Sequence, residues 1–84
     1  MAEEKNKIAI LEEQMNEFKD THNNITGLVE KIAGVQAKLQ ENEFKSFADA
    51  AGEIFSLASD AAMKLQAVMH DMELERNRLR NEAE

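Results

Sequence analysis

Apolar residues recur along this chain in steps of three and four almost from end to end, and the phase of that rhythm slips once, near residues 40–46. In the first half the stripe reads Ile8, Leu11, Met15, Phe18, His22, Ile25, Val29, Ile32, Gln36, Leu39. In the second half it reads Phe47, Ala51, Ile54, Ala58, Ala61, Leu65, Val68, Met72, Glu75, Leu79. A period of about 3.5 residues keeps such a stripe on one side of an α-helix and is the coiled-coil pattern. The rest of the 84 residues agree with an all-α chain. Proline is absent, glycine is limited to Gly27, Gly34 and Gly52, and good helix formers dominate.

The slip locates a turn. If Ile8 opens a heptad, an unbroken repeat would put Glu43 and Ser46 on the seam, yet apolar residues resume at Phe44 and Phe47. Between them lies the polar run Gln40-Glu41-Asn42-Glu43, in which Asn42 is a good N-cap. Ser46, with Asp49 three residues on, is a weaker one. The pattern predicts one domain over 1–84: a helix over about 3–41, a turn within 40–46 and a helix over about 45–82. Folded back, these make an antiparallel, coiled-coil-like hairpin, with each helix on the order of 55 Å long. The rival is a single rod of about 125 Å with a skip in its repeat.

Two registers suit the hairpin. One sets Leu39 beside Phe44, Val29 beside Ile54 and Leu11 beside Met72; the other, around a later turn, sets Leu11 beside Leu79 and Phe18 beside Met72. Residues 20–27 are poor helix formers, costing together roughly 4–5 kcal/mol against alanine. The seam nevertheless passes through them in phase at His22 and Ile25, which predicts a continuous helix with a weak waist.

Further apolar columns flank the assumed seam. The second helix carries Ala48, Phe55, Ala62 and Met69 on one side, with Ala50 and Leu57 on the other. The first answers with Leu28 and Val35, and with Ala33. On this reading one hairpin leaves them uncovered. The expectation is a second interface formed by Leu28, Val35, Ala48, Phe55, Leu57, Ala62 and Met69. It would most simply be a homodimer making a four-helix bundle, or else a groove for a partner's amphipathic helix.

Little in the chain speaks for chemistry. There is no cysteine, no Gly-rich phosphate loop and no Gly-x-Ser-x-Gly elbow. His22 and His70 belong to no Glu-x-x-His or His-Glu-x-x-His motif, so neither metal nor cofactor is expected. Acidic residues outnumber basic ones, 17 to 10, for a net charge of −7. That balance disfavours nucleic acid as the default partner. The exception is Arg76, Arg78 and Arg80, the one basic cluster. It supports an alternative reading as a small RNA-binding hairpin dimer.

The longest apolar run, Ile8–Leu11, is far short of the roughly 20 residues a membrane span needs. The amino-terminal residues show no signal-peptide pattern, which makes a cytoplasmic protein the expectation, signal-independent export remaining open. In size the chain resembles needle subunits of secretion systems, without the proline their turn carries. In composition it is similar to small acidic secretion chaperones and phage assembly factors. The expected function is non-enzymatic: a self-associating hairpin that binds a partner protein through an apolar helical face, as an assembly factor, chaperone or structural subunit.

Overall fold

The computed structural model describes residues 2–83, and its two elements are both long helices: α1 (Ala2–Glu41) and α2 (Lys45–Ala83). They lie against each other in a body of 62 × 14 × 12 Å, half the length a single rod would need. α1 runs unbroken through the polar waist. There Thr21 and Thr26 turn their hydroxyls back to donate to the carbonyls of Glu17 (2.9 Å) and His22 (2.8 Å). Hydroxyls able to compete with the helix are thus absorbed by it.

The turn is a Schellman motif built without glycine. The Phe44 amide donates to the Leu39 carbonyl (2.9 Å) and the Glu43 amide to that of Gln40 (3.2 Å), the pair of bonds that defines the motif. Glu43 takes the left-handed conformation (φ 66°) that glycine usually fills. The Phe44 carbonyl accepts the first bond of α2, from the Ala48 amide. Asn42 therefore does not cap the start of the second helix. Its side-chain amide donates to the Lys38 carbonyl (2.8 Å), so it closes the end of α1 instead. Ser46 already lies inside α2.

On α1 the half-buried residues include every member of the expected stripe, from Ile8 to Leu39. On α2 the seam is turned by one residue. Phe47, Ile54, Ala61 and Glu75 are exposed, whereas Ala48, Ala51, Phe55, Ala58, Ala62, Leu65, Met69, Met72, Arg76 and Leu79 are covered or half-covered. The two stripes then run in step from the turn outward. Counted outward along the half-buried stripes from the place where Gly52 meets Gln36, Leu39 falls near the level of Ala48, Ile32 near Phe55, Val29 near Ala58, Phe18 near Met69 and Ile8 near Leu79. This register falls between the two that the sequence suggested. Gly52 meets the Gln36 side-chain amide, where an added Cβ would lie 2.9 Å from Nε2. Leu11 and Leu79 line one cleft.

The physical reason for the rotation lies in the turn and in side-chain size. The short link 42–44 fixes which face of α2 first reaches α1, and there Ala48 and Ala51 admit close approach. Phe47, one position earlier, is too bulky for that place. The resulting core is thin: among the described residues, only Ala48, Ala51 and Leu79 are buried.

Candidate functional site

A two-stranded seam has two flanks, and in this hairpin they differ in chemistry. One flank is polar. It is formed by Glu12, Lys19 and Thr26 of α1 and Ser59, Gln66, Glu73 and Arg80 of α2. Arg80 and Glu12 form an ion pair across the helices on this side. A shallow, open cleft of about 530 Å³ lies here, lined by Met15, Asn16, Lys19, Gln66, Met69, His70, Glu73 and Arg76.

The other flank is apolar over the half nearest the turn. Helical spacing from the half-buried stripes assigns Leu28 and Val35 of α1 and Phe47 and Ile54 of α2 to this flank, with Ala50 and Leu57 one column outward. Exposure is 53% for Leu28, 49% for Val35, 64% for Phe47, 53% for Ile54 and 70% for Leu57. Phe44, at the turn, is also exposed and tilts its ring against Phe47 at 6.3 Å. Along α2 the exposed residues Phe47, Ala50, Ile54, Leu57 and Ala61 have heptad steps of their own, a second apolar stripe outside the hairpin. Toward the open end, Lys7, Ile10, Leu11, Glu75 and Leu79 line a smaller cleft of about 290 Å³, and Ile10 is exposed.

The residues expected to form a partner interface are divided by this geometry. Leu28, Val35 and Leu57 are on the open apolar flank. Ala48 is buried, and Phe55, Ala62 and Met69 are half-buried on the side of α2 turned to α1. The premise that this second group has nothing to bury against within one chain is therefore corrected. Their places on the outer face are taken by Phe47 and Ile54, which sequence reasoning had put in the seam. The signal for the exchange was present as a pair of neighbouring apolar columns, 47/54/61/68 and 48/55/62/69, differing chiefly in the size of their first member.

The arginine cluster is dispersed over three directions. Arg76 sits in the seam, level with Leu11, with its Nε covered and without a hydrogen-bond partner, and Glu73 is 3.9 Å from its guanidinium. Arg78 donates to both Glu75 oxygens (2.6 and 2.8 Å) and to Glu82 (2.7 Å). Arg80 faces Glu12 on the polar flank. Each guanidinium thus has a carboxylate beside it. The Arg78 hydrogen bond holds the Glu75 carboxyl below its ordinary value of 4.5, and Glu75 in turn pushes Arg78 further up.

His22 is half-buried in the seam and His70 is exposed at the polar cleft. Among the described residues, no helix is long and apolar enough to cross a membrane. Compared with family models, characterised proteins and solved structures, the chain matches none.

Proposed function

We propose that this chain is a non-enzymatic, self-associating hairpin whose activity is to bind protein through its apolar flank, as an assembly factor, chaperone or structural subunit. The observation that supports this reading is the continuous outer stripe of Leu28, Val35, Phe47, Ile54 and Leu57, each about half exposed or more. Soluble monomers rarely leave large side chains contiguous in this way unless the patch is a contact surface. The thin core points the same way. An accessible surface of 6438 Å² compares with about 5,000 Å² for a compact protein of 9.5 kDa. The excess, roughly 1,400 Å², reflects the slender shape of the hairpin, 62 × 14 × 12 Å, in which two helices shelter little of each other.

Two substitutions separate this contact surface from the hairpin's own core. Leu57→Asp is expected to abolish self-association, measured by sedimentation equilibrium, while far-UV circular dichroism and melting stay near the parent's. Phe55→Asp, a change on the seam, is expected to destabilise the hairpin by about 2–3 kcal/mol, read as lower helicity and a lower melting temperature. Unchanged mass for Leu57→Asp in a parent that does associate would remove the flank as the contact.

A further inference from the structure

Resting on the protein-contact reading above, we infer that the apolar flank is covered by a second copy of this chain, with the two turns at the same end and the twofold axis along the hairpin. Charge at the margins of the stripe carries the argument. On its α1 margin stand Lys31 and Lys38; on its α2 margin stand Glu53 and Asp60, and all four are exposed. None is held in an ion pair with another described residue.

Two hairpins meeting face to face on this flank have two twofold arrangements. With the turns together, α1 of each copy lies over α2 of the other. The basic margin then meets the acidic one twice, and the lysine stems cover Leu57 while their ammonium groups reach Glu53 and Asp60. Farther from the turn, Lys64 of one copy comes level with Asn24 of the other, and Asp71 with Glu17, a like-charge pair that weighs against the lysine contacts. With the turns at opposite ends, α1 lies over α1 and α2 over α2. Overlapping the apolar stripes then sets Lys31 against Lys31 and Glu53 against Asp60. Opposed margins favour the first arrangement and repel in the second.

Size bounds the strength of such a pair. The stripe from Phe47 to Ala61 is about 21 Å long, and two helices are about 20 Å across. The contact is therefore on the order of 400 Å² per copy, roughly 800 Å² over both, the size of a weak, transient association. Such a dimer should form in the micromolar range and depend on salt.

The test uses paired charge reversals and one label. Lys31→Glu with Lys38→Glu, and separately Glu53→Lys with Asp60→Lys, are each expected to weaken dimerisation about tenfold. An equimolar mixture of the two variants should recover it. A nitroxide on Glu43→Cys, the only thiol in the labelled chain, should give an intermolecular distance below about 30 Å, because both turns share one end. The opposed arrangement separates the turns by about 36 Å or more, since Lys31 is about 18 Å along the helix from Glu43. Reversal variants that dimerise like the parent, or a long label distance, overturn the arrangement and leave self-association standing. A monomeric mass at every concentration overturns the second copy itself. Association that appears only with an added amphipathic helix assigns the flank to a different protein.

Discussion

Arg78 grips two carboxylates of its own helix, Glu75 one turn before and Glu82 one turn after. The consequence for pH has a definite sign. A carboxyl lowered in the folded state adds stability above its ordinary value and loses that contribution as pH falls through the lowered value. Glu75 is exposed, so the effect is local to the last turns of α2. Carboxyl-resolved NMR titration is expected to show the Glu75 midpoint below 4.5 and to show it rising toward 4.5 in Arg78→Gln. An identical midpoint in the two proteins would mean that the fork does not persist in water.

This arrangement was only half legible beforehand. The carboxylates that balance the arginines stand out in the sequence, but the direction of each guanidinium depends on the seam. A one-residue rotation carries Arg76 inward, where its stem covers apolar surface while its Nε remains without a partner.

At the scale of the element, the turn determines how the two helices meet. Glu43 holds a left-handed conformation that costs an ordinary residue roughly 1–2 kcal/mol. Glu43→Gly is accordingly expected to stabilise the hairpin by about 1 kcal/mol, read as a higher urea midpoint with an unchanged slope. A lower midpoint would show that the link adopts another geometry. The absence of glycine and proline is also why the turn spoke faintly in the sequence. It was visible through the slip of the apolar repeat, while Asn42 pointed to the wrong helix. A cap residue beside two helix ends serves whichever end its amide can reach, and here that is the Lys38 carbonyl. The α1 stripe was readable because it has one apolar column pair, with His22 and Gln36 as its polar members. The α2 stripe was ambiguous because two adjacent columns compete, and only close approach at Ala48 and Ala51 decides between them.

Across the whole molecule, a slender pair of helices buries few large side chains and leaves a second heptad stripe on one flank. The two-helix architecture follows from the repeat and its slip. The proposed contact surface follows only after the rotation of α2, which exchanges Phe55 and Met69 for Phe47 and Ile54 on the outside. Every functional consequence depends on that exchange. Hydroxyl-radical footprinting of the unlabelled parent over a range of concentrations tests it most directly. Phe47, Ile54, Leu57, Leu28 and Val35 should lose reactivity together as concentration rises, while exposed Met63, on another face of α2, keeps its own. Reactivity at the five residues that stays level at concentrations where the mass increases would contradict the assignment of this flank as the contact.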